Sequence, residues 1–358
     1  MNTQSSNIII FYTGYQIDDW SPEILNSKGL GGSEIALYNI AIQFSQLDYE
    51  VYIVGDVIEG LYENIQLLKN KTCHKKLKEK KIKAIIATNY IHYLNEFEGY
   101  SYQQSFFWLH NTSFYNTWRQ DKKFDLEAQQ LLKDDRIDAI VCVSQWQKDL
   151  YIEKHPELNP EKFIIIGNGI NTSLFPQNIK TIPRSFIYSS TADRGLQCLT
   201  EIWIALIQCW PDATLKICSP LYGMKLLEQL RSQLNLLPNV EVLGSLPPKK
   251  LYNELAKAEY WLHPTHYDET YCITALEMQM SETTVITSDL AALKTTVADR
   301  GILINNDDYQ TFRYECLKSV IHLDDQFDEK AKLINEGKKW ALKQDWSIIM
   351  EQWQKIIN

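Results

Sequence analysis

Two carboxylates in one short stretch carry the strongest chemical signal in this sequence. Glu269 and Glu277 lie in HPTHYDETYCITALEMQM, His263 to Met280, with seven residues between them. The preceding AEYWLHP reads as a short buried strand ending at Pro264, and Ile273, Leu276 and Met280 fall at helical spacing after it. Glu269 therefore belongs to a strand-to-helix loop and Glu277 to the second turn of the helix. Were the whole interval helical, the two Cα atoms would lie roughly 12 Å apart. A retaining glycosidase holds its carboxyl pair at about 5–5.5 Å, so this pair does not share one proton. Its spacing suits gripping two hydroxyl-bearing parts of one elongated ligand. The plainer alternative has Glu269 capping the helix and Glu277 in solvent.

Other candidates are spread along the chain. Gly29-Leu30-Gly31-Gly32-Ser33-Glu34 leads into an amphipathic helix, and glycines there leave backbone N–H groups free to meet an anion. The plainer reading is a loop with Ser33 as the helix cap. The segment lacks Gly-x-Gly-x-x-Gly and so is not a dinucleotide fingerprint. His110 closes the strand FFWLH, the fourth by this reading, and faces the crevice where parallel sheets bind ligands. It could donate to a hydroxyl when neutral or sit charged beside a phosphate. Asn168 and Gly169 form a turn. Ser190 ends or follows a strand, and Arg194 with Gly195 stands at the mouth of the next helix, a good position for clamping a diphosphate. His263 and His266 have metal-pair spacing but show no evident third ligand, so both read as structural. Lys69, Lys71, Lys75, Lys76, Lys78, Lys80, Lys81 and Lys83 read as a basic helix, either a solvated face or a contact for anionic lipid.

The elements that position these residues are short apolar runs alternating with helix-like stretches. NIIIFYTG, EVYIVG, KAIIAT, SFFWLH, DAIVCVS and KFIIIGN form one series; RSFIYSS, ATLKICS, NVEVLG, YWLHP, TTVITS and GILI form a second. Continuous apolar strands between helices predict parallel sheets buried on both faces. Two series predict two Rossmann-like, doubly wound α/β domains. Pro176 and Pro183 bracket the polar linker between them.

The 358 residues suffice for two domains, and 45% hydrophobic with 23% charged residues is globular composition. A net charge of -9 argues against nucleic acid as a partner. No apolar run reaches the ~18 residues of a membrane span, and the N-terminus lacks a basic signal region. Seven scattered cysteines without Cys-x-x-Cys spacing suggest reduced thiols and a cytoplasmic setting.

Taken together and in this order, the motifs resemble glycosyltransferase family 4, retaining enzymes of the GT-B fold. Gly31, Gly32 and Glu34 match the family's Gly-Gly-x-Glu loop, and His110 its histidine after the fourth strand. Asn168, Gly169 and Ile170 match its Asn-Gly-Ile/Val-Asp turn, with Asn171 for the Asp. Glu269 and Glu277 match its Glu-x7-Glu element. Three departures stand out. Arg194-Gly195 replaces Lys-Gly, with Ser190 or a neighbour near the place of an earlier Arg. Glu269-Thr270-Tyr271-Cys272 replaces Glu-x-Phe-Gly. DLAALKTTV replaces a loop that usually holds Gly and Glu.

The resemblance implies a GT-B chain: residues 1–175 an acceptor-binding domain, 176–340 a nucleotide-sugar-binding domain across a cleft, and 341–358 a helix crossing back to the first. It implies transfer of a hexose, with retention and without metal or cofactor, from a UDP- or GDP-sugar to a glycan, lipid-linked saccharide or protein. Domain closure would exclude water. By this resemblance Glu277 takes the ribose hydroxyls and Glu269 the hexose hydroxyls. Arg194 and the N–H groups of Thr270, Tyr271, Cys272 and Ile273 take the diphosphate, Gly31, Gly32, Asn168, Gly169 and Ser190 also bind the nucleotide sugar, and His110, on the acceptor side, is catalytic together with Glu269 and Arg194. Peripheral membrane contact would run through the Lys69–Lys83 patch. The departures at Arg194 and Cys272 leave a non-catalytic nucleotide-sugar binder as the alternative. A Rossmann oxidoreductase is the more distant one.

Overall fold

The computed structural model describes residues 7–15, 18–28, 31–114, 122–221 and 225–357. The chain divides into two compact units. The first comprises Met1–Asn26, Leu30–Asn168 and Trp346–Asn358; the second comprises Ser27–Gly29 and Gly169–Asp345. The division falls within the Asn168-Gly169 turn, ahead of the polar linker. Ile170 is the reason: its N–H donates to the Gln344 carbonyl at 2.9 Å, and Thr172 Oγ1 donates to Asp345 at 2.6 Å. The turn is thereby tied to the far end of the second unit.

In the first unit the strands are β1 (Ile8–Gly14), β2 (Glu50–Gly55), β3 (Gly60–Tyr62), β4 (Ile65–Leu68), β5 (Lys81–Thr88), β6 (Ser101–Leu109), β7 (Ala139–Cys142) and β8 (Phe163–Ile165). Their order is β3-β4-β2-β1-β5-β6-β7-β8, parallel except for the antiparallel pair β3–β4. All seven residues of β1 are buried, as a strand covered on both faces requires. The hairpin β3–β4 has no counterpart in the apolar runs. Its two-residue turn places Glu63 and Asn64 at φ +48° and +66°, the mirror-image geometry of tight hairpins, with Glu where Asn or Gly is the usual signal. His110 thus follows the sixth strand of the chain, not the fourth.

The second unit holds β9 (Ile182–Ser189), β10 (Thr214–Cys218), β11 (Val240–Val242), β12 (Ala258–His263), β13 (Thr284–Ser288) and β14 (Ile302–Ile304). Their order is β11-β10-β9-β12-β13-β14, and every pair is parallel. From β9 the chain builds outward through β10 and β11, then returns to β12 and builds the other way. The topological switch point therefore lies between β9 and β12. Ligands of open α/β sheets bind beyond the carboxyl ends of such a strand pair.

The terminal helix Trp346–Ile356 belongs to the first unit. Trp353 is fully buried there, its ring 5.0 Å from Trp108 and 6.2 Å from Phe106.

Two local expectations are corrected. Ser33 does not cap its helix: the helix runs Gly32–Ser45 with Gly31 at the cap position, and the Ser33 hydroxyl donates to Glu34 at 3.0 Å. The eight lysines do not share one helix. The helix spans only Asn70–Leu77, with Lys69 at its cap, paired with Asp19 at 2.6 Å, and Lys81 and Lys83 on β5. Lys81 and Lys83 alternate with buried Ile82 and Ala84, so strand periodicity governs them. The seven cysteines are free thiols. Among the described residues no helix is long and apolar enough to cross a membrane.

Candidate functional site

The site is built at the switch point of the second unit. β9 ends at Ser189, and Ser190 follows directly. The loop folds back on itself: the Tyr188 hydroxyl donates to the Thr191 carbonyl at 2.6 Å, and the Arg194 N–H donates to the same carbonyl at 3.0 Å. Gly195 then caps the Leu196–Cys209 helix at φ +95°. A Cβ at Gly195 would run into the carbonyl of Pro264 and approach Thr265 Cα at 3.0 Å. Glycine is required there because the loop after β9 presses against the loop after β12.

That contact delivers Arg194 to the second loop. Its Nε lies 3.4 Å from Glu269 Oε1, one terminal nitrogen lies 3.0 Å from Asp193 Oδ2, and Cζ sits 3.0 Å above the Tyr267 ring. The loop bearing Glu269 is held by the Ala292 N–H, which donates to the Glu269 carbonyl at 3.1 Å. Ala291 beside it has φ +49°. The Glu269 side chain is 15% exposed. Burial pushes its carboxyl up to about 7, with Arg194 pulling it back and Asp193 adding to the rise.

The second carboxylate lies on the helix Ile273–Met280. Burial pushes Glu277 up to about 7, and a hydrogen bond from the Tyr252 hydroxyl, 3.1 Å from Oε1, pulls it down. Tyr252 itself stacks on Phe175, with ring centroids 4.1 Å apart and planes 14° from parallel. A flat aromatic platform beside a carboxylate suits a ring carrying vicinal hydroxyls. Neither aromatic was legible in the sequence: each contact joins elements far apart in the chain. Asp193, adjacent to Arg194 in TADRG, could have been read from its place alone.

Cys272 occupies the cap of the Glu277 helix at φ +67°, ψ +77°. Glycine adopts this left-handed geometry freely, whereas a side chain there costs about 1–2 kcal/mol. The backbone thus takes a conformation that favours glycine, and burial pushes the thiol well above its ordinary range. Tyr271, the preceding residue, is buried. His263, at the end of β12, is 1% exposed, and its ring lies 4.6 Å from Trp261 with planes 11° apart. His266 packs instead on Phe312 and Tyr309, at 5.3 and 5.7 Å.

Arg194, Glu269 and Cys272 are therefore brought together, with Glu277 on the same helix as Cys272 and Ser190 in the same loop as Arg194. Gly31, Gly32, His110 and Asn168 belong to the first unit; Gly29 and Leu30 lie outside the described residues. The His110 backbone N–H donates to Asn89 Oδ1 at 2.8 Å, and its ring lies 4.5 Å from Trp108. Burial pushes the imidazole down to about 3, so it is neutral, one of the two states the sequence left open. Asn168 is 3% exposed, and its Oδ1 has no partner among the described residues. Asn171 replaces the family's Asp without loss of the turn, since its Oδ1 accepts from the Ser173 N–H at 3.2 Å and hydroxyl at 2.7 Å.

Residues 183–320, which include Arg194, Glu269 and Glu277, match the family described as glycosyl transferases group 1. These residues are similar to that family, and the chain has the GT-B fold of the solved structures named below. Over 201 residues the chain is 25% identical to alpha-maltose-1-phosphate synthase of Mycolicibacterium smegmatis, a stretch covering 50% of this chain and 51% of that protein. The chain thus spans about half the length of this curated relative. Among solved structures, sucrose-phosphate synthase from Thermosynechococcus elongatus superposes with TM-score 0.76 at 14% identity, covering 98% of each chain. HepE of Anabaena in complex with UDP-glucose superposes with TM-score 0.71 at 16% identity, covering 98% of this chain and 99% of that one. At these identities the likeness is one of fold.

Proposed function

We propose that this GT-B chain is a retaining glycosyltransferase that moves a hexose from a nucleoside diphosphate sugar to a hydroxyl acceptor. The observation that carries the reading is the pairing of Arg194 with Glu269 at the switch point, with Glu277 on the helix that follows, within the stretch that matches group 1 glycosyl transferases. UDP-glucose bound to HepE, of the same fold, supports the donor class.

Glu277 accepts the ribose hydroxyls, and Tyr252 orients its carboxylate. Glu269 holds hydroxyls of the transferred hexose. Arg194 and the N–H groups from Thr270 to Ile273, at the amino end of a helix, take the charge that grows on the leaving diphosphate. These groups supply positive potential without a metal cofactor. As the glycosidic bond breaks, the sugar acquires oxocarbenium character. The acceptor oxygen attacks on the face the diphosphate leaves, passing its proton to a diphosphate oxygen, so no protein side chain acts as general base. Gly31, Gly32 and neutral His110 serve the acceptor, a glycan, lipid-linked saccharide or protein. A lipid-borne acceptor would bring the exposed Lys71, Lys75, Lys76 and Lys78 against anionic headgroups on the cytoplasmic face of a membrane.

The test is a thermal-shift panel of UDP-, GDP- and ADP-hexoses with NAD as control, since a ligand of the native state raises the midpoint by mass action. One nucleotide family should shift the wild type, and Glu277→Ala should lose most of that shift. An unchanged shift in Glu277→Ala would remove its role. Binding without transfer or hydrolysis would favour a non-catalytic binder, to which the engagement of Arg194 by both Asp193 and Glu269 lends support.

A further inference from the structure

Three metal-ligating side chains meet in the second unit: His263, Glu269 and Cys272 each offer a ligand atom, and these atoms lie within 4.8 Å of one another. They come from the end of β12, the loop behind it and the cap of the next helix. A lone buried thiol would mean little, but His263 is a second and independent observation. It is 1% exposed, and both its ring nitrogens lack a hydrogen-bond partner among the described residues. A buried imidazole ordinarily satisfies at least one nitrogen, and leaving one unmade costs about 1–3 kcal/mol. An imidazole in its neutral form offers a lone pair to a metal.

We infer that His263, Glu269 and Cys272 form an inhibitory site for a thiophilic divalent cation of the zinc class. Imidazole, carboxylate and thiolate together select such an ion over magnesium or calcium, which prefer oxygen. Zinc–ligand bonds of about 2.0–2.3 Å place the ligand atoms of a tetrahedral site roughly 3.3–3.8 Å apart, so side-chain shifts of about 1 Å close the set. The ion displaces the thiol proton to solvent. Thiolate and carboxylate then balance its charge despite Arg194, which lies against Glu269 Oε1. Three protein ligands leave the fourth position to water. Glu269 cannot ligate the ion and hold the hexose at once, so ion and nucleotide sugar exclude each other. That competition rests on the role proposed for Glu269; the binding of the ion does not.

Cobalt(II) is the probe, because a cobalt–thiolate bond gives a charge-transfer absorption that cobalt with nitrogen and oxygen ligands lacks. The wild-type chain should develop the band at one equivalent of cobalt, zinc should abolish it, and Cys272→Ser should lose it while keeping the wild-type melting temperature. His263→Asn should weaken cobalt binding at least about tenfold. A saturating nucleotide sugar should bleach the band. No thiolate band in the wild type, or one that survives Cys272→Ser and so arises from exposed Cys209, overturns the site. A band that persists while the sugar demonstrably binds overturns the competition. If no nucleotide sugar shifts the melting temperature, the functional reading fails, and the ion site stands or falls on the band alone.

Discussion

Burial raises the Glu277 carboxyl to about 7, and with the ribose role proposed for it this couples ligand binding to pH. An unfolded glutamate titrates near ~4.3, whereas the folded carboxyl is raised to about 7. Between those values the folded chain holds the extra proton, so the group's contribution makes stability fall as pH rises through that window and level off above it. Ribose hydroxyls bind the ionised form better. Affinity for a nucleotide sugar should therefore rise toward neutral pH, at most about tenfold per pH unit below about 7, and flatten above. Glu277→Gln should remove its share of both profiles at lower affinity, leaving the share of Glu269, whose carboxyl is also raised to about 7. A wild-type affinity independent of pH across this window would exclude the carboxylate from the ribose contact. Arg194 is tested by rate. In the proposed role the diphosphate charge it faces is greatest in the transition state, so Arg194→Ala should lower kcat by about 10²–10³-fold, the scale of a lost oxyanion donor, with a smaller change in KM. An effect on KM alone would make Arg194 a ground-state anchor.

At the scale of elements, the two loops of the site act as one body because Gly195 lets them touch. Gly195→Ala adds a Cβ against the Pro264 carbonyl at a φ of +95°. The strain of a non-glycine residue there and the clash should together destabilise the second unit by about 2–3 kcal/mol, read as a lower melting temperature. Because Arg194 is the preceding residue, catalysis should fall as well. A stable Gly195→Ala chain with full activity would show the loops to be independent. The same elements explain what the sequence could reveal. Strands buried on both faces, such as β1 and β13, are continuous apolar runs, so twelve of the fourteen strands among the described residues fall on apolar segments of the sequence, and the carboxylates followed from the strand-loop-helix pattern between them. The β3–β4 hairpin escaped because its strands hold only three and four residues around a Glu-Asn turn. The lysine run misled for a related reason: charge marks a solvated face and says nothing of its period. The Tyr252–Glu277 hydrogen bond, and a His263 ring with no hydrogen-bond partner among the described residues, depend on packing between separate elements, which no local pattern encodes.

For the whole molecule, the grouping of ligands by unit makes the last prediction. Arg194, Glu269, Cys272, Glu277, Tyr252 and Phe175 all fall within the continuous segment Gly169–Asp345. That segment closes its own sheet of six strands and its own apolar core, which runs from Phe186 through Trp203 and Trp261's neighbours Tyr260 and Leu262 to Leu333. Its ends are joined by the Ile170–Gln344 and Thr172–Asp345 hydrogen bonds. A segment with a complete core and tethered ends can fold alone. The first unit differs, since its core residue Trp108 needs Trp353 from the far end of the chain. Expressed by itself, 169–345 should therefore melt cooperatively and bind the nucleotide that the full chain selects, within about tenfold of the same affinity, while transferring no sugar because Gly31, Gly32 and His110 are missing. Equilibrium titration of the fragment and the full chain with that nucleotide reads the comparison directly. A folded fragment that fails to bind would mean that the first unit supplies donor contacts, and the assignment of Glu277 and Arg194 as sufficient for the donor would have to be abandoned.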